Sequence, residues 1–180
     1  IPNLKVFRPA DIDETLECWE AAINNDDGPS ALILSRQKLS YIADKVSEHN
    51  KCLQGGYQVK LTSHESKVTI IASGSEVELA LDAQKDLKGN GIDSKVISMP
   101  CIELFELQSE KYKKKLIEDD QLVISIEAGQ IGSMQKYTSK KGYSFGINSF
   151  GKSAPHKQIY EHFNLTSNKI VTVIQDLLRK

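Results

Sequence analysis

The sequence predicts an α/β fold: a mainly parallel sheet covered by helices on both faces, preceded by a partial α/β segment. Three observations predict it. Short runs rich in apolar and β-branched residues recur at residues 68–72, 95–99 and 122–126, the pattern of strands buried in a sheet. Stretches between them carry apolar residues at helical spacing. Glycine and proline punctuate the junctions, and strands alternating with helices are the mark of parallel βαβ units.

Taken in order, Lys5, Val6, Phe7 and Arg8 form a short strand that must stop at Pro9. Asp11 caps the next helix, and Glu14, three residues on, completes a capping box. Ile12, Leu16, Trp19 and Ile23 then recur at helical spacing. Asp26, Asp27, Gly28 and Pro29 turn the chain. Residues 31–34, Ala-Leu-Ile-Leu, read as a strand buried on both faces, with Ser35, Arg36 and Gln37 where it runs out. Residues 38–66 are polar, carry Gly55 and Gly56, and keep no sustained period. They read as a linker crossing between domains.

The second unit opens with the strand at 68–72. Ser73, Gly74, Ser75 and Glu76 follow as a tight turn with a capping-box pattern from Ser73 to Glu76. Val77, Ala80, Leu81 and Leu87 supply the inner face of a helix, which Gly89, Asn90 and Gly91 end. The strand at 95–99 stops at Pro100, and a helical stretch leads to the strand at 122–126. Residues 143–147 form a weaker fourth strand. A last helix, started by Thr166 or Ser167, aligns Ile170, Ile174 and Leu177.

Composition narrows the function. With 23 Lys and Arg against 24 Asp and Glu the net charge is -1, which disfavours nucleic acid and anionic membranes as partners. The basic run at 111–115 is flanked by Glu110 and by Glu118, Asp119 and Asp120, and reads as a solvated helix face. Three cysteines, Cys18, Cys52 and Cys101, form no CxxC pair and have no zinc spacing. They predict reduced thiols in a cytoplasmic protein, with Cys18 in core packing. No apolar run spans a bilayer, and no signal segment opens the chain. Ile1, Pro2, Asn3 and Leu4 read as mid-protein sequence, so the chain is expected to be the carboxy-terminal piece of a larger enzyme, inactive alone.

Residues 146–153, Gly-Ile-Asn-Ser-Phe-Gly-Lys-Ser, satisfy the phosphate-loop pattern G-x-x-x-x-G-K-S. The context opposes it. Gly146 is expected inside a strand, Pro155 marks a fresh helix start, and no later strand follows to carry a magnesium-binding Asp. Ser73, Gly74 and Ser75 could hold an anion at a helix start, but Glu76 and Glu78 would repel it. His49, His64, His156 and His162 are scattered and read as solvated. Arg36 stands out. It lies at the carboxyl end of a parallel strand, where α/β sheets place ligands, and a permanently charged fork there suits a phosphate. A structural ion pair is the competing reading.

Several segments resemble the transketolase family. They are residues 2–4 and 8–11 (Pro-Asn-Leu, Arg-Pro-Ala-Asp), residues 28–37 (Gly-Pro-Ser-Ala-Leu-Ile-Leu-Ser-Arg-Gln), Gly55-Gly56-Tyr57, residues 72–77, residues 96–100 and residues 150–155. The resemblance runs in order through the whole chain. Phe7 stands where the family often has Trp, and Lys152 at a position that varies. The resemblance implies a tail of the pyrimidine-binding domain at 1–46, a linker at 47–66 and the transketolase C-terminal domain at 67–180. It implies an enzyme that transfers a two-carbon ketol unit between sugar phosphates in the pentose phosphate pathway. The complete enzyme would use thiamine diphosphate and Mg2+, held upstream, and would form a homodimer to which the C-terminal domain lends packing support. No residue here is assigned to catalysis, cofactor or metal. Arg36 takes the family's substrate-phosphate contact. Deoxyxylulose-phosphate synthase and the 2-oxoacid dehydrogenase β-subunit share the C-terminal domain and are the alternatives, with a nucleotide-binding protein and a non-catalytic assembly module behind them.

Overall fold

The computed structural model describes residues 1–42, 49–60 and 66–179. In the first segment, strand β1 (Lys5–Phe7) pairs in parallel with β2 (Ser30–Leu32), and helix α1 (Ile12–Ile23) connects them. Asp11 caps α1 as expected: its Oδ1 accepts the Glu14 N–H at 2.9 Å. The Glu14 carboxylate reaches back one residue further than a capping box requires, to the Ala10 N–H at 2.7 Å.

Two expectations for this segment are corrected. Residues 31–34 are not buried on both faces. β2 is half-buried, and Ile33 and Leu34 are 53% and 54% exposed, because among the described residues no layer covers the outer face of this two-stranded sheet. The apolar stripe of α1 also faces outward. Ile12, Leu16, Trp19 and Ile23 are exposed, while Glu14, Cys18 and Ala21 are buried. The small residues allow close approach on the inner side, where Phe7, Cys52 and Cys101 complete a compact cluster.

The 38–66 stretch carries structure of its own. A 3₁₀ turn at Lys51–Gln54 ends at Gly55, whose φ is +73°. A Cβ there would lie 2.0 Å from the Phe105 backbone nitrogen, so only glycine fits. Strand β3 (Tyr57–Gln58) follows and joins the large sheet.

That sheet is built from β4 (Val68–Ala72), β5 (Ser94–Ser98), β6 (Leu122–Ile126) and β7 (Tyr143–Phe145), in the order β3-β5-β4-β6-β7. All pairings are parallel except the antiparallel edge β3·β5. Period two along the strands sorts side chains onto two faces. Val68, Ile70, Val96, Leu122, Ile124 and Ile126 meet helix α2 (Glu76–Gly89) and helix α7 (Ser167–Leu178). Ile71, Ile97 and Val123 meet the layer containing α3 (Ile102–Glu106), α4 (Glu110–Leu116) and α5 (Gly132–Gln135). Helix α6 (His156–His162) precedes α7, which Thr166 caps by accepting the Lys169 N–H. The large sheet is thus covered on both faces, as the apolar runs predict. The basic run lies on α4 with Lys111, Lys114 and Lys115 exposed.

The capping box expected at Ser73 is absent. The helix starts after Ser75, and the Ser73 hydroxyl donates instead to Glu127 Oε2 at 3.1 Å. Gly146 is also not in a strand. β7 ends at Phe145, and the chain then crosses close to the loop after β6, where Ile147 N–H donates to the Gly129 carbonyl at 2.7 Å. A Cβ on Gly146 would come within 2.4 Å of Ile131 Cγ2.

Glu14 joins the first segment to the large sheet. Its buried carboxyl accepts from the Ala10 N–H, from Tyr57 Oη at 2.6 Å on β3, and from Ser98 Oγ on β5. Burial pushes this carboxyl above its ordinary value of 4.5. The donors pull the other way, Ser98 most, and the Asp11 carboxylate adds a small push upward. The folded chain therefore holds the Glu14 proton more tightly than the unfolded chain. The stability this contributes is fully present below pH 4.5 and is lost as pH rises through the folded-state value. Glu14→Gln should cost about 1–3 kcal/mol, because an amide cannot accept from all three donors. It should also remove this component of the pH dependence. Urea unfolding of both proteins across pH 4 to 8 measures the two effects, and parallel curves would contradict the assignment.

Candidate functional site

Arg36 lies beyond the carboxyl end of β2, fully on the surface. Ile33 still pairs with β1 through the Phe7 carbonyl at 2.8 Å, and Ser35 Oγ donates to the Gln37 carbonyl at 2.8 Å, which shapes the turn presenting Arg36. Among the described residues Arg36 makes no ion pair.

A second concentration of charge lies at the carboxyl ends of β4 and β6. Arg8, just past β1, donates its N–H to the Pro100 carbonyl at 2.8 Å and accepts the Gly74 N–H on its own carbonyl at 2.9 Å. Its guanidinium pairs through one nitrogen with Glu76 Oε2 at 3.2 Å and through the other with Glu127 Oε1. Both carboxylates are buried. Glu76 Oε1 accepts from Ser75 Oγ at 2.7 Å and from the Tyr160 hydroxyl. Burial, with the Glu76 carboxylate next, pushes Tyr160 above its usual range. Beside this group lies a cavity of about 310 Å3, bounded by Arg8, Ser73, Met99, Glu103, Glu127 and Met134 among others. Arg36 does not line it.

The sequence singled out Arg36, which stands apart from this group, and did not point to Arg8, Glu127 or Tyr160. Glu76 reads there as a cap. One signal was available: Glu127 directly follows a buried parallel strand, the same position that drew attention to Arg36.

The phosphate-loop pattern makes no cradle. Residues 148–153 are exposed and irregular, with Phe150 96% exposed, and α6 begins only at His156 after Pro155. No helix start backs the amides around Lys152. His156 and His162 are exposed, His49 is exposed, and His64 lies outside the described residues. Among the described residues no group of three or more His, Cys, Asp or Glu could hold a metal ion, and no helix is long and apolar enough to cross a membrane.

Comparison with known proteins accounts for this layout. Residues 55–166 match the family model of the transketolase-like C-terminal domain, and residues 1–41 match that of the transketolase pyrimidine-binding domain. The chain belongs to the transketolase family. The Sinorhizobium medicae transketolase is 39% identical over an alignment of 180 positions that covers 99% of this chain and 26% of that protein. The Aquifex aeolicus transketolase is 38% identical over 97% of this chain and 26% of its own length. Among solved structures, a Pichia stipitis transketolase mutant in complex with fructose-6-phosphate superposes with a TM-score of 0.90 at 34% identity, over 99% of this chain and 25% of that one. The Campylobacter jejuni transketolase gives 0.86 at 38%, over 97% and 26%. The chain thus spans about a quarter of the length of the transketolases it matches.

For the glycine–lysine segment the expected outcome is plain. Titration of a fluorescent ATP analogue with magnesium should show no saturable binding, and Lys152→Ala should change nothing. Binding that the substitution abolishes would restore the phosphate-loop reading.

Proposed function

We propose that this chain is the carboxy-terminal quarter of a transketolase, completing an enzyme that transfers a two-carbon ketol unit from a ketose phosphate to an aldose phosphate in the pentose phosphate pathway. The observation that carries the reading is the ordered match of two transketolase family models along one chain. Solved relatives described as complexes with fructose-6-phosphate and sedoheptulose-7-phosphate support sugar phosphates as substrates. The division into a pyrimidine-domain tail at 1–46, a linker at 47–66 and a C-terminal domain at 67–180 belongs to this proposal.

The cofactor of such an enzyme is thiamine diphosphate with Mg2+, which when bound supplies the nucleophilic carbon that takes up the ketol unit. The described residues do not fit the metal-bound diphosphate, since they offer no cluster of acidic, His or Cys side chains for a divalent ion. In this reading those groups lie in the three quarters of the enzyme beyond this chain. The outward apolar stripe of α1 and the bare face of β2 support the same reading, as surfaces for the rest of the pyrimidine-binding domain to cover. The complete enzyme is proposed to be a cytoplasmic homodimer. Three buried, unpaired thiols suit a reducing compartment.

Within this enzyme Arg36 contacts the substrate phosphate. Its exposed and unpaired guanidinium, at the carboxyl end of a parallel strand, supports the role. A charge-assisted hydrogen bond contributes about 1.5–3 kcal/mol, so Arg36→Ala in the full-length enzyme should lower kcat/KM for phosphorylated substrates roughly ten- to a hundredfold. Unphosphorylated analogues should lose much less. Equal losses for both substrate types would make Arg36 structural. In isothermal calorimetry the chain alone should show no micromolar, magnesium-dependent affinity for thiamine diphosphate, and such binding would place the cofactor site within these residues.

A further inference from the structure

The large sheet has a topological switch point between β4 and β6. The chain leaves β4 for α2, on one face, and returns to β5. From β5 it crosses over β4 to β6, and then enters α5 on the opposite face. Loops after β4 and β6 therefore diverge, and the crevice between them is where open α/β sheets bind ligands. Here Gly74 and Ser75 follow β4, and Glu127 and Ala128 follow β6. The crevice is filled by Arg8, a residue of the first segment, which belongs to neither the strands nor the helices of the large sheet.

The fit is specific to a planar, forked cation. One guanidinium nitrogen meets Glu76 at the start of α2, the other meets Glu127 on the loop after β6, so the two carboxylates are bridged from opposite sides of the switch point. The remaining oxygens are held by neighbours: Tyr160 and Ser75 donate to Glu76, and Ser73 donates to Glu127. Gly74, with φ +55°, lets the β4 loop lie against the Arg8 side chain, whose nearest atoms are 3.8 Å from where a Cβ would be. Two buried carboxylates facing each other without a cation would be strongly unfavourable.

We propose that the crevice at the carboxyl ends of β4 and β6 is a guanidinium-binding site whose occupant is the chain's own Arg8, so that the first segment docks on the large sheet as an internal ligand. The site couples the position of β1, and with it the segment that carries Arg36, to the C-terminal domain. The Arg8 side chain is 27% exposed, so its site opens to solvent at one edge and is reachable by a competitor.

Hydrogen exchange of residues 1–33, read with methylguanidinium as probe and tetramethylammonium at equal ionic strength as control, tests this. Arg8→Ala should speed exchange in this segment by about tenfold or more, the loss expected for a charge-assisted hydrogen bond. Millimolar methylguanidinium should reverse the change saturably, and tetramethylammonium should not. In the wild-type chain the same probe should compete with Arg8 and speed exchange in the segment, while the control should have no effect. This second measurement decides the matter if Arg8→Ala fails to fold. Unchanged exchange in Arg8→Ala would overturn the proposal. So would equal effects of the two cations, which would reduce the crevice to a pair of screened charges, or a wild-type segment indifferent to methylguanidinium.

Discussion

Taking a carboxyl group out of water is costly unless its oxygens find donors, and Glu14 finds three from three different parts of the chain. Ala10 belongs to the first segment, Tyr57 to the antiparallel edge strand and Ser98 to the core of the parallel sheet. The group cannot be satisfied unless all three are in register. A short two-stranded sheet with one helix is too small to be stable by itself, so this anchorage is what gives the first segment a defined place. Glu17 adds to it on the same helix face, accepting the N–H groups of Lys51 at 2.8 Å and Cys52 at 3.0 Å and so fixing the 3₁₀ turn against α1.

The same contact zone explains the cysteines. Cys18, Cys52 and Cys101 come from α1, the 3₁₀ turn and the loop after β5, and they share one buried cluster. Burial pushes the Cys101 thiol up to about 12, and Cys52 is raised further by its hydrogen bond with Cys18 and by burial. Such thiols stay protonated and unreactive, and act as small apolar residues filling the space between segments.

Polarity is arranged in α1 in the reverse of the usual order for a surface helix. Carboxylates and small residues face the body of the chain, and large apolar residues face away. The inner side is a hydrogen-bonded joint between two sheets. The outer side has the character of a core surface, which agrees with a chain that covers about a quarter of the length of its relatives. Arg8 and Glu14 lie on the two sides of this joint, one reaching the carboxyl ends of β4 and β6, the other reaching β3 and β5.

Much of the fold is legible in the sequence because the signals are local. The runs at 68–72 and 122–126 are strands, which their shortness, their β-branched residues and the turn residues that follow them favour over a buried helix. Asp11 announces its helix because a cap needs nothing beyond its own turn. The motifs of residues 28–37 and 150–155 are likewise enough to place the chain in its family. Tertiary structure alone decided which face of α1 is inside, that Tyr57 and Gln58 form the antiparallel edge of the sheet, and that Ser73 and Glu76 serve Glu127 and Arg8 instead of each other. Periodicity records that a helix has an apolar side but not what covers it. A buried carboxylate shows its partners only when chain segments some 68 or 84 residues apart, as for Arg8 with Glu76 and Glu14 with Ser98, are brought into contact.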